Sequence, residues 1–273
     1  MNRKSLLIVK LVCLCVLLVV VGGVLLRCFW GGLGPMRFSW DNKLERTENF
    51  SGVQSVEATT NSYSITVTEQ PGTETKVEFY SGGFQTAKEP VIQLQNGVLI
   101  VKETNATAGI SFGSGRIVIS VPEGAPLDYS LTSTSGSLKL YAPGKTVSLA
   151  STSGSVKVYQ GGETLDAVST SGSVKVYGAF KSVSAASTSG GVKVTADENT
   201  TSVSASSTSG SVKIRLPKET GYTLDFMTVS GSVKDEYRGS SFGKSGSTEQ
   251  GDGQIEINAS SVSGSIKLPD WDD

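Results

Sequence analysis

One eight-residue phrase, Ser-Thr-Ser-Gly-Ser-Val-Lys-Val, recurs with small changes through the C-terminal half of this chain and limits what it can fold into. It occupies Ser133–Leu140, Ser151–Val158, Ser169–Val176, Ser187–Val194 and Ser207–Ile214, and returns in altered form at Thr228–Asp235 and Ser261–Leu268. Its glycines, Gly136, Gly154, Gly172, Gly190, Gly210, Gly231 and Gly264, are separated by 18, 18, 18, 20, 21 and 33 residues. Such regular spacing marks a repeat architecture. A unit of about 18 residues cannot close a core by itself, whereas stacked neighbours bury a continuous column.

The parity of the apolar residues says what each unit buries. Val147, Leu149, Ser151 and Ser153 share one face of an extended run, and after Gly154 the apolar set changes parity to Val156 and Val158. Strand side chains alternate with period two, so a change of parity requires a corner or bulge. The pattern returns as Leu165, Ala167, Ser169, Ser171 then Val174, Val176; as Val183, Ala185, Ser187, Ser189 then Val192, Val194; and as Val203, Ala205, Ser207, Ser209 then Val212, Ile214. The expected fold is all-β: a parallel β-solenoid of about 18–21-residue coils. Glycine is expected at the corner for its backbone freedom, and small inward serines for close walls and hydrogen bonds between coils.

The regular coils are preceded by less regular sequence. Val56, Ala58, Thr60, Ser62 and then Ile65, Val67 follow the same formula, with Tyr63 in place of the glycine, and read as a degenerate first coil. Asn96-Gly97 between Val91–Leu94 and Val98–Val101 predicts a hairpin. This region, 51–126, is expected to cap the stack before the repeat region, 127–273, with Trp271-Asp272-Asp273 shielding the other edge.

The N-terminus reads as a cytoplasmic stub and membrane anchor, residues 1–30. Leu6–Leu26 spans 21 positions, enough for one transmembrane helix if Lys10 reaches the interface. Arg3, Lys4 and Lys10 place the N-terminus in the cytoplasm and the bulk outside, a single-pass arrangement in the cell membrane. A cleaved signal peptide is the competing reading, but Val21-Gly22-Gly23 is a poor cleavage site. Residues 31–50, starting Gly-Gly-Leu-Gly-Pro, read as a linker.

Composition excludes several chemistries. The absence of histidine removes Ser-His triads and His-ligated metals. The three cysteines, Cys13, Cys15 and Cys28, lie in or beside the anchor and leave no disulfide for the outer domain. With 24 basic against 25 acidic residues, no global field directs the chain to nucleic acid.

Several features together resemble a bacterial adhesin-like family of unknown function, the toastrack domain. They are Ile119-Ser120-Val121-Pro122-Glu123-Gly124-Ala125, then Leu127-Asp128-Tyr129, then the serial Thr-Ser-Gly-x-Val-Lys-Val phrases. The resemblance spans roughly Val53 to Leu268. It implies a β-strand repeat protein, often beside a membrane segment, in some members associated with envelope stress. It defines no catalytic residue.

The outward position of the phrase's second strand carries Lys139, Lys157, Lys175, Lys193, Lys213, Lys234 and Lys267. Rungs about 4.8 Å apart would align them in one column. Exposed lysines keep a sheet soluble and discourage lateral pairing; the functional alternative is a cationic strip for a polyanion such as an anionic wall polymer or glycan. Tyr141, Tyr159 and Tyr177 follow three of these lysines and offer stacking to sugars or a half-buried rim. Gly239–Ser245 imitates a phosphate loop but lacks its spacing and context, and reads as a flexible loop. Asp252, Asp270, Asp272 and Asp273 lack regular calcium-binding spacing. No cofactor, metal or catalytic residue is expected. The expected role is a non-enzymatic, membrane-anchored envelope module with an envelope component or membrane protein as partner. Adhesion to wall polymer or a host surface through the lysine column, and glycan-active β-helix chemistry, are the alternatives.

Overall fold

A computed structural model of the chain describes residues 39–83, 89–104, 113–218, 220–236 and 238–269. The anchor expected at 6–26 and the tail expected at 271–273 lie outside the described residues. Among the described residues there is no helix, and so none long and apolar enough to cross a membrane.

The described residues from Trp40 onward form one compact unit. In chain order its strands are β1 (Ser39–Ser51), β2 (Ser55–Thr60), β3 (Ser64–Gln70), β4 (Glu74–Gly83), β5 (Val91–Gln95), β6 (Val98–Lys102) and β7 (Gly113–Pro122). The regular coils follow as β8 (Leu127–Ser133) with β9 (Leu138–Leu140), β10 (Gly144–Ser151) with β11 (Val156–Val158), β12 (Gly162–Ser169) with β13 (Val174–Val176), β14 (Phe180–Ser187) with β15 (Val192–Thr195), and β16 (Ser202–Ser207) with β17 (Val212–Arg215). The chain ends in β18 (Tyr222–Thr228), β19 (Val233–Asp235), β20 (Ser240–Phe242), β21 (Ser245–Gln250), β22 (Ile255–Ser261) and β23 (Ile266–Leu268).

Each coil gives a longer strand to one sheet and a shorter strand to another. The short-strand sheet runs β1-β4-β7-β3-β9-β11-β13-β15-β17-β23-β19-β20, and the long-strand sheet runs β21-β18-β22-β16-β14-β12-β10-β8-β2-β6-β5. Coil pairs are parallel and in register, Val156 beside Val174 and Leu149 beside Ala167. The core lies between the sheets as a ladder of Val, Leu, Ile and Ala. This is the stacked parallel arrangement that the repeats predict.

The corner differs from the sequence reading in two respects. Ser151, Ser169, Ser187 and Ser207 end the inward set, and Ser153, Ser171, Ser189 and Ser209 are exposed, because the chain turns at the Thr-Ser pair. Nor do the phrase glycines have positive φ. They are needed because the coils touch there: a Cβ on Gly172 would lie 2.1 Å from the Gly154 carbonyl oxygen, and one on Gly154 would lie 2.0 Å from that of Gly136.

That close approach is organised by the buried serine. Ser169 Oγ accepts from the Gly172 N–H at 2.9 Å and donates to the Gly154 carbonyl at 2.9 Å in the preceding coil. Ser151, Ser187, Ser207 and Ser261 repeat this, and Thr228 does so with its own hydroxyl. Each hydroxyl thus satisfies one donor and one acceptor that would otherwise be buried unpaired.

Both ends depart from chain order. β2 and β3 stack directly on β8 and β9, while β6 and β7 lie outside them, in parallel. β5 and β4 then pair antiparallel on the outer coil. The β5–β6 hairpin turns through Asn96 (φ 51°) and Gly97 (φ 80°), the left-handed pair of a tight hairpin turn. β1 closes the short-strand sheet, so residues 39–50 of the segment expected as a linker lie in an edge strand. Its charges hide it from a periodicity reading, since an edge strand is held by backbone pairing and benefits from exposed charge; Arg46 reaches Glu48 and Glu89.

At the other end β22 and β23, last in the chain, lie between β16/β17 and β18/β19. β20 and β21 close the stack antiparallel to β19 and β18. Gly239–Ser245, expected as a flexible loop, therefore belongs to this cap, where the Phe242 ring lies tilted against Phe226 with centroids 5.3 Å apart. Asp235 faces inward where other coils carry Val, Leu or Ile, and is 1% exposed. The Tyr222 hydroxyl and the Arg238 N–H donate to it.

Candidate interaction face

In each short strand the residues on either side of the lysine point into the core, both apolar except for Asp235 in β19, so period two turns the lysine outward. All seven lysines stand in register, and their spatial order is Lys139, Lys157, Lys175, Lys193, Lys213, Lys267, Lys234. The column expected from sequence therefore exists, with its last two members exchanged by the inserted coil. The long insertion does not break it.

The strip has defined limits. Beyond Lys139 the same row continues as Thr66, Val118 and Glu78, and Lys76 pairs with Glu78 at 3.3 Å. Near the other end Lys267 pairs with Glu236 at 2.7 Å. The uninterrupted cationic part is the run from Lys139 to Lys213. Lys193, at its dense end, has its ammonium pKa lowered, first by desolvation and then by Arg215, Lys213 and Lys175. Adjacent like charges on this row repel, by roughly 1 kcal/mol at water-like dielectric and less in salt.

The tyrosines form a second row beside the lysines. Tyr141 and Tyr159 stack with centroids 4.3 Å apart and planes 6° from parallel, and Tyr159 stacks on Tyr177 at 5.2 Å. Lys193 Nζ lies 5.9 Å from the Tyr177 ring centre. The rings cover one another's faces, so the ladder offers edges and hydroxyls outward, and sugar stacking on successive tyrosines has no open face to use. A side-chain hydrogen bond with Tyr159 raises the Tyr141 pKa.

The Gly239–Ser245 sequence is a strand and turn of the cap, with no strand leading into a helix. Among the described residues no three His, Cys, Asp or Glu side chains are placed to hold a metal ion.

Sequence reasoning missed a groove on the outer face of the long-strand sheet. Val168, Met227, Val229 and Val262 surround small residues Ala186, Ser206 and Ser260, enclosing about 270 Å³ without a charged lining residue. Met227 is 59% exposed and Val229 58%. An apolar residue at a position that is Ser or Ala in neighbouring coils was its only trace. The insertion of β22 decides that these residues meet.

The chain is similar in structure to a candidate cell adhesion protein from Clostridium sporogenes, with 16% identity over 84% of this chain and 99% of that one, TM-score 0.39. A candidate adhesin from Bacteroides fragilis shares 14% identity over 84% and 98%, TM-score 0.43. A candidate lipid-binding protein from Parabacteroides distasonis shares 14% over 82% and 96%, TM-score 0.36. No curated protein matches the chain. Residues 142–269 match the model of the Toastrack DUF4097 family, the family that the serial phrases resemble.

Proposed function

We propose that the protein is a non-enzymatic, membrane-anchored envelope module, held by residues 6–26 with its bulk outside the cytoplasm, whose lysine column is the contact face for an anionic wall polymer. The observation that carries this reading is the unbroken register of Lys139, Lys157, Lys175, Lys193 and Lys213 on a stiff parallel stack. Repulsion along the row is a cost that a linear polyanion would relieve, and the fixed spacing suits a repeating ligand. Solubility alone needs neither a single column nor a lysine in every coil.

The test is binding of purified teichoic acid by the full chain in liposomes, compared with a variant carrying glutamine at those five lysines. The expected result is a loss of about tenfold or more, together with loss of salt dependence. Equal binding by both forms would exclude the strip. If cross-linking in cells then recovered the same membrane proteins with both forms, the module would be a scaffold for an envelope-stress partner.

A further inference from the structure

The last coil of the chain sits in a slot. β22 is paired in parallel with β16 on one side and β18 on the other, and β23 likewise with β17 and β19. Both walls use the bonds found throughout the stack. Ser261 donates to the Gly210 carbonyl at 3.0 Å, and Thr228 donates to the Gly264 carbonyl at 3.1 Å. The slot therefore recognises the Ser-x-x-Gly phrase and its register, whichever molecule supplies them.

Reaching the slot within one chain requires a tight crossing. From β21, outside β18, the backbone passes over the start of β18 through residues 251–254 and re-enters on its inner side. A Cβ on Gly221 would lie 2.1 Å from Asp252 Oδ1 and 2.4 Å from its backbone nitrogen. Gly251 and Gly253 have φ of +68° and +65°, values that side-chain-bearing residues resist. The wall formed by β18 and β19 also precedes β22 in the chain, so the slot must stay open until the last coil is made. A short, constrained hinge beside an open site of matching chemistry is the setting in which an element exchanges between copies.

We propose that this slot is also a docking site for the last coil of a second copy, so that two chains exchange β22 and β23 and form a dimer. All coil-to-coil hydrogen bonds are kept in the exchanged form, and the crossing over Gly221 is released. The proposal is independent of polymer binding.

The test uses the full chain with Cys13, Cys15 and Cys28 replaced by serine. Two differently tagged versions are co-expressed, one carrying Ser206→Cys and the other Ser260→Cys. These positions are register partners on adjacent strands, within disulfide reach at the spacing of paired strands. The expected result is a disulfide-linked dimer containing both tags. Inserting five Gly/Ser residues after Gly253 should relax the crossing and lower the linked fraction by about threefold or more. A chain carrying both cysteines reports whether β22 occupies the slot. If that chain cross-links within itself while the mixed pair yields no linked dimer, the proposal is overturned.

Discussion

Between β8 and β17 the coils follow one another in space as they do in the chain, whereas at both ends the order is exchanged. The first coil, β2/β3, and the last, β22/β23, each lie one place inside the end; a neighbour in the chain lies outside and carries two antiparallel strands. The middle grows because every rung presents to the next the surface it met on the last. An end built that way would expose a template for endless addition. The difference shows that a repeat stack is finished by strands unlike its repeats, laid in the opposite direction.

The corner residue sharpens this contrast. In the middle it is glycine, and in the first coil it is Tyr63, whose carbonyl still accepts from Ser133 at 3.2 Å. Its ring takes up the space over Gly115 and packs on Phe79 at 5.3 Å. Restoring the repeat there by Tyr63→Gly should therefore weaken the protein, by about 4 kcal/mol, because it empties a buried aromatic site. Chemical denaturation would show it, and an unchanged midpoint would mean that the end tolerates the middle's chemistry.

The reverse change comes next in size. Gly172→Ala should cost about 3 kcal/mol, since the new methyl meets backbone that cannot yield, while Gly243→Ala in the cap, with nothing within 4 Å of the added Cβ, should stay within about 0.5 kcal/mol. Equal effects in unfolding curves would break the distinction. Ser169→Ala should cost about 2 kcal/mol by orphaning the Gly172 N–H and the Gly154 carbonyl. Ser171→Ala, two residues along and exposed, should be close to neutral in the same measurement.

Alkaline pH should act with the smallest slope, through tyrosines of the end coils. Burial, then Glu103, pushes Tyr63 up to about 12, and burial, then Asp235, raises Tyr222 further. A raised tyrosine keeps its proton in the folded state after the unfolded chain has lost its own. Its contribution is thus fully present below about pH 10 and is lost as pH rises through the folded pKa. Melting temperature should fall between about pH 10 and pH 12, less steeply in Tyr63→Phe. Equal slopes in both proteins would remove Tyr63 from the account.

Much of this was legible in the residues. Identical phrases must take identical registers, so the repeat, its inward Val/Leu/Ala set, the serine rung and the outward lysine row could all be read from spacing and parity. The Asn96-Gly97 hairpin was legible for a local reason, its demand for left-handed backbone. β1 and the β20–β21 cap were hidden, because polar edge strands carry no alternation to read. The role of the phrase glycines was hidden too, since close approach belongs to a pair of coils and cannot be seen in one.

Sequence by itself determined the rung: the apolar set and the serine that a coil buries, and the face that bears its charge. Tertiary structure alone decided which coil lies beside which. Thr228-x-x-Gly231 and Ser261-x-x-Gly264 offer β16/β17 the same hydrogen bonds and the same lysine, so local chemistry cannot rank them. The choice was made by what the outer coil must also hold, the antiparallel cap and the buried Tyr222–Asp235 pair, and these interactions exist only once distant strands have met.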